Sequence, residues 1–289
     1  MKFTRVVIVA AVLGVLFSGI AFARKAIRDI PEIKVSTSPG PERFAFIVPV
    51  AQSSCDAPGG SESRRDANSQ IVEKALNAIG RREEMAQIRS TRFRGSDTTT
   101  RATGAVTLHV ERVTVFPANF YVAFQDSKGA ATRVVDTPDA SFEASGQAAT
   151  AIPASQLADL RLAVKLDPIY IAKYRGQFTC GVEGNEPIGK INAVRLKISA
   201  VGAEEFWDVD PTSGQLLRTS HTTAANGMAV TDYSDWRSVG GINVAYKRHS
   251  KTVSETDDVV VDQYEVNPTI DPKLFQSPGH ISPAAPGTR

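Results

Sequence analysis

The sequence lacks the signatures by which enzymes are most readily read. It has no G-x-S-x-G elbow, no H-E-x-x-H pair and no Walker or dinucleotide glycine pattern. Nothing in it therefore specifies a strained nucleophile, a helical zinc pair or a phosphate-cradling loop, and the chain reads as non-enzymatic, with no catalytic residues and no cofactor. Histidine is scarce, with four residues at His109, His221, His249 and His280. His109 and Glu111 share one strand face and offer two ligands, but a metal site needs a third and a fourth. Solvent-facing side chains are the plainer reading, and no metal is assigned.

Cysteine is nearly absent too. Cys55 and Cys180 are the two in the chain, too few and too far apart for a zinc site. They leave two readings open: a disulfide pinning the segment around Cys55 to a strand around Cys180, or two free thiols. Net charge is also small. Of 33 basic residues two, Lys2 and Arg5, lie in the first 23 positions, so the remainder carries 31 basic and 31 acidic residues. That balance excludes the basic face expected of a nucleic-acid binder.

What the chain does have begins at its start. Residues 1–23 combine a basic opening at Lys2 and Arg5, an apolar run from Val6 to Ile20 and a small-residue site at Ala21-Phe22-Ala23. This is the pattern of a cleavable secretory signal, with the cut expected before Arg24. The run is shorter than the roughly 20 residues that span a bilayer, and no cysteine adjoins the cut to carry a lipid. The expected product is a periplasmic or secreted protein with no transmembrane segment, in a compartment where disulfides persist.

Residues 24–65 are rich in Pro, Gly and Ser around one apolar patch, Phe44 to Val50, and read as an arm or linker in which that patch could add an edge strand. A domain over 66–276 opens with a helix capped by Asn68 or Ser69, in which Ile71, Val72, Ala75, Leu76 and Ile79 recur at helical spacing before Gly80. A short turn follows at Glu83 to Ile88. From Thr91 the period becomes two: Val106, Leu108 and Val110 alternate with polar residues, as do Phe120, Val122 and Phe124. About ten strands follow, joined by turn signals such as Asp210-Pro211-Thr212-Ser213-Gly214 and Gly240-Gly241. A helical insertion near Pro153, with Leu157, Leu160 and Val164 on one face, breaks at Asp167-Pro168. Residues 277–289 read as a disordered tail.

Three patterns in this order resemble a known family. Trp207 to Arg218 is similar to a strand, D-P-x-x-G turn, strand hairpin. Tyr233 to Tyr246, with its glycine pair, looks like the next hairpin. Asn267, Ile270-Asp271, Leu274-Phe275 and Pro278 follow an N-x-x-I-D-x-x-L-F-x-x-P close. Together they resemble the LolA/LolB-like periplasmic lipoprotein-carrier superfamily. The resemblance implies an α+β fold: a curved antiparallel sheet forming an incomplete β-barrel, with the N-terminal helix and the helical insertion over its concave face.

On such a sheet the concave side presents Val106, Leu108, Val110, Phe120, Val122, Phe124, Val194, Leu196, Ile198, Trp207 and Val209, as a core against the helices or as the bed of a ligand groove. The first functional reading is therefore a binding or carrier protein for a lipid, a lipoprotein or another apolar ligand. The alternative is an envelope interaction module with a filled core and a protein partner, and an uncharacterised hydrolase ranks behind both. Two charged groups remain. Arg92 and Arg94, with Arg81 and Arg82 upstream, read as a solvated face that could meet head groups. Glu255, Asp257 and Asp258 read as turn chemistry at a hairpin tip rather than a calcium site.

Overall fold

The computed structural model describes residues 53–55, 64–200, 202–223 and 227–278. The signal sequence, the Phe44 to Val50 patch and residues 279–289 of the tail lie outside the described residues. Two helices, α1 (Arg64–Ile79) and α2 (Arg82–Gln87), lead into a run of strands: β2 (Ser90–Arg101), β3 (Gly104–Val115), β4 (Asn119–Gln125), β5 (Ala131–Asp136), β6 (Ser141–Ser145) and β7 (Ala148–Ala151). Helices α3 (Ala154–Lys165) and α4 (Pro168–Lys173) then return the chain to a second run: β8 (Thr179–Ile188), β9 (Ile191–Ala200), β10 (Ala203–Val209), β11 (Leu216–Thr223), β12 (Gly227–Val239), β13 (Ile242–Lys251) and β14 (Glu255–Val266). The two-residue β1 (Ser53–Ser54) precedes them all.

All fourteen strands form one antiparallel sheet in the order β1-β8-β9-β10-β11-β12-β13-β14-β2-β3-β4-β5-β6-β7. Each run is a meander, and the two join where β14 pairs with β2 over most of their length, Glu255 opposite Arg101 at one end and Val266 opposite Thr91 at the other. The outer strands, β1 and β7, do not pair with each other, so the curved sheet remains an incomplete barrel. The fold is α+β, with more strands than the ten expected. The additions include β1, too short for any periodic signal, and β7, whose sequence AATA carries none. The first helix starts at Arg64, ahead of the expected caps Asn68 and Ser69.

The glycine in the D-P-x-x-G hairpin is required by packing. Gly214 has φ 77°, and a Cβ there would lie 2.6 Å from the Lys74 carbonyl oxygen of α1. Lys74 Nζ donates to the carbonyls of Pro211 and Thr212 at 3.1 and 3.0 Å, so this hairpin is the seat of α1. Gly95 answers a second close approach, since a Cβ would meet the Val260 carbonyl oxygen at 2.1 Å beside the irregularity in β14.

The main core lies between the concave face and the helices, where Leu76, Ile79, Leu160 and Ile171 meet Leu108, Phe124, Leu196 and Trp207. A second cluster covers the convex face: Val113, Tyr121, Val135 and Phe142 pack beneath Ile270, Leu274 and Phe275. Asn267, at φ 54°, turns the chain toward that face. Its Oδ1 accepts from the N–H groups of Arg89 and Ser90 at 2.6 and 3.2 Å, and its Nδ2 donates to the Gln87 carbonyl at 3.0 Å. The closing motif is thus a brace that ends α2 and starts β2.

Candidate functional site

A narrow cleft opens between the middle of the sheet and the helices, with a cavity volume of about 40 Å³. Its floor comes from paired strands. Thr91 and Phe93 of β2 lie opposite Thr114 and Arg112 of β3, and Phe93 lies opposite Tyr264 of β14. Val244 and Arg248 of β13, with Tyr233 and Trp236 of β12, complete it. The roof is Ile79 of α1, Val164 of α3 and the Pro168–Tyr170 turn of α4.

Six aromatic residues line the cleft: Phe93, Phe116, Tyr170, Tyr233, Trp236 and Tyr264. Phe93 stacks on Tyr264 with centroids 6.5 Å apart, Phe116 meets Tyr170 at 6.2 Å, and Tyr233 meets Trp236 at 6.1 Å. Burial pushes the Tyr233 and Tyr264 phenols above their usual range, so both stay neutral. Two arginines interrupt this surface. Arg112 is paired with Asp167 at 2.9 Å, and Asp167 also accepts from the Ile169 N–H at 2.9 Å, where α4 starts. The sheet is thereby tied to the junction of α3 and α4. Arg248 lies with its guanidinium 5.3 Å from the Phe93 ring centroid, and among the described residues no carboxylate pairs with it. Asp167 is the one carboxylate that lines the cleft among the described residues, and it is held by Arg112 and the Ile169 N–H.

Of the eleven apolar residues expected on the concave face, Leu108, Val110, Phe120, Val122, Phe124, Leu196, Ile198, Trp207 and Val209 are buried in the main core, and Val194 packs partly buried against it. Val106, near the start of β3, is 50% exposed and lies outside that packing. None of the eleven lines the cleft. Sequence reasoning missed the residues that do, above all Arg112 and Arg248. Both carried a signal. Arg112 follows Leu108 and Val110 at spacing two, and Arg248 follows Val244 and Tyr246, so each is a charge set in the apolar register of its strand.

The acidic run also needs correcting. Glu255 does close the β13–β14 turn, its carbonyl accepting from the Thr252 N–H at 3.0 Å, but Glu255 and Asp257 are 4% and 2% exposed and Asp257 lies within β14. Glu255 accepts from Arg101 Nε at 2.7 Å, Asp257 is buried beside the Thr99 hydroxyl, and among the described residues Asp97 Oδ1 is buried with no hydrogen-bond partner. Burial pushes Asp97 up to about 8 and Asp257 up to about 7. Asp258 takes a different direction and pairs with His249 Nδ1 at 2.7 Å. Glu111 is held by Arg92 and Arg94, which removes both arginines and the His109 neighbour from the free-ligand reading. Cys55 and Cys180 are joined in a disulfide where β1 meets β8.

No family model matches the sequence, and no curated protein matches it. Solved structures do. A DUF1329 family protein from Desulfovibrio piger superposes with a TM-score of 0.52 at 10% identity, over 70% of this chain and 95% of its own. A LolA superfamily protein from Nitrosomonas europaea gives 0.52 at 11% identity, over 72% and 97%. A putative outer membrane lipoprotein-sorting protein domain from Vibrio parahaemolyticus gives 0.49 at 6% identity, over 73% and 96%. The first two share the fold of this chain, an open antiparallel sheet with helices on its concave face. More particularly, this chain has the LolA-like superfamily fold that its three hairpin and closing motifs resemble. No helix among the described residues is long and apolar enough to cross a membrane.

Proposed function

We propose that this chain is an exported envelope protein that shelters an acyl chain, or a comparable apolar part of a lipid or lipoprotein, between its curved sheet and its helices. The observation that carries the reading is the cleft itself: an opening lined by aromatic and aliphatic side chains under α3 and α4. Burying a methylene is worth ~0.8 kcal/mol, so half a dozen give roughly 5 kcal/mol before the cost of immobilising the chain. Such a carrier needs neither a nucleophile nor a cofactor.

The test starts from protein purified without detergent, denatured, extracted with organic solvent and analysed by mass spectrometry. We expect an acyl lipid in the extract and saturable uptake of a fluorescent fatty acid by the emptied protein. An empty extract together with no uptake would sink the carrier reading. A second reading, an envelope interaction module with a filled core, is favoured by one observation: nine of the concave-face residues already lie inside closed packing. An empty extract would turn attention to that reading.

A further inference from the structure

Among the described residues, Arg248 is the cation of the cleft that has no ionic partner. Arg112, on the same concave face, is neutralised by Asp167. Arg101, Arg161, Arg195 and Arg218 each hold a carboxylate as well. Arg248 instead lies over Phe93, between Tyr233, its cross-strand partner on β12, and Val259 on β14. A guanidinium over an aromatic face keeps most of its N–H donors free for an anion.

Two more observations converge on the same place. Trp236, which lines the same cleft, has an indole Nε1 that is buried and has no hydrogen-bond acceptor among the described residues. A buried donor of this kind costs free energy until it is met. Asp97 lies across Val259 from Arg248 on the concave face. Burial first, then the charge of Asp257, raises its carboxyl to about 8, with Arg248 opposing them. Among the described residues Asp97 makes no salt bridge with Arg248, which leaves the guanidinium open to an anion in the cleft.

We infer that the cleft selects anionic single-chain amphiphiles, with Arg248 holding the carboxylate or phosphate head, Trp236 Nε1 donating to it, and the aromatic walls taking the chain. This rests on the carrier reading and deepens it by naming the charge of the ligand. A neutral lipid would leave both groups unmet.

Calorimetric titration of the emptied full-length protein at pH 7 tests it, using dodecanoate, dodecyl phosphate, dodecanol and inorganic phosphate as separate probes. A charge-assisted hydrogen bond to guanidinium predicts that the two anionic amphiphiles bind about tenfold or more tighter than dodecanol. Inorganic phosphate alone should not bind measurably, which separates a lipid head from a free anion. Arg248→Gln should reduce the preference to within about twofold while dodecanol binding persists, and Arg248→Lys should retain part of it. Equal affinity for dodecanoate and dodecanol in the unaltered protein overturns the inference and leaves the carrier reading standing, and that comparison needs no variant to fold. Tight binding of inorganic phosphate alone would replace the amphiphile with a free-anion site, and binding of none of the probes would overturn both readings.

Discussion

Asp97 sits on the concave side of β2, two residues beyond Gly95 and four beyond Phe93, opposite Leu108 of β3. It is 1% exposed, and its carboxyl is raised from 3.8 to about 8 chiefly by burial. Because the folded protein prefers the protonated acid, the Asp97 contribution to stability is fully present below about pH 4. It is lost as the pH climbs toward 8, with a slope of up to about 1.4 kcal/mol per pH unit. Asp257, raised to about 7 beside it, acts in the same direction. We expect the urea midpoint of the unaltered protein to fall from pH 5 to pH 8 and that of Asp97→Asn to fall less. Parallel curves for the two proteins would show that Asp97 is ionised throughout. At this scale the sequence displayed the anomaly without its meaning: a charge in an apolar strand register is visible at Arg112 and Arg248, though not at Asp97, whose neighbours on that face are Gly95 and Thr99. Whether each is paired depends on side chains from elements far away in the chain, such as Asp167 for Arg112.

Among elements, the disulfide does the most with the least structure. β1 contributes two residues, Ser53 opposite Cys180 and Ser54 opposite Thr179, and the bond joins positions 125 apart in sequence. Cys55 is 5% exposed and Cys180 3%, so the bridge is part of the core at the outer edge of the second meander. Cross-linking a loop of this size restricts the unfolded chain, and losing such a bond typically costs about 2–5 kcal/mol. We expect Cys55→Ser with Cys180→Ser to lower stability by that order and to raise amide exchange in β8 more than in β3, measured by hydrogen exchange and mass spectrometry. Uniform exchange across both meanders would contradict a local tie. The helices and hairpins were legible because local rules govern them: helical spacing from Ile71 to Ile79, alternation in β3 and β4, and the turn at Asp210 to Gly214. The seat of α1 on that turn was not legible, since the contact of Gly214 with Lys74 joins residues 140 positions apart.

The whole molecule uses the two faces of one sheet for different tasks. The concave face holds the main core and the cleft, while the convex face is closed by Ile270, Leu274 and Phe275 from the end of the described chain. The two coverings share no lining residue. Phe275→Ala should therefore destabilise the protein by about 1–3 kcal/mol, since the ring is partly buried. It should leave the affinity for an acyl probe at 25 °C within about twofold of the unaltered protein. A large loss of binding in a variant that is still folded would mean the two faces are coupled.

The sequence by itself determined the class of fold. Strand alternation, turn residues and the Asn267 to Phe275 close each act over a few neighbours, and they agree on an antiparallel sheet with a helical insertion. The tertiary structure alone decided which of the inward-facing residues meet solvent. Ten of the eleven expected on the concave face pack into the core or against it, Val106 lies half exposed outside that packing, and the open space falls over β2, β3 and β12 to β14 instead. The physical reason is that alternation assigns a side chain to a face, whereas filling or opening that face depends on where α1, α3 and α4 come to rest. Those positions are set by contacts such as Arg112 with Asp167 and Lys74 with the hairpin carbonyls, which no local pattern encodes.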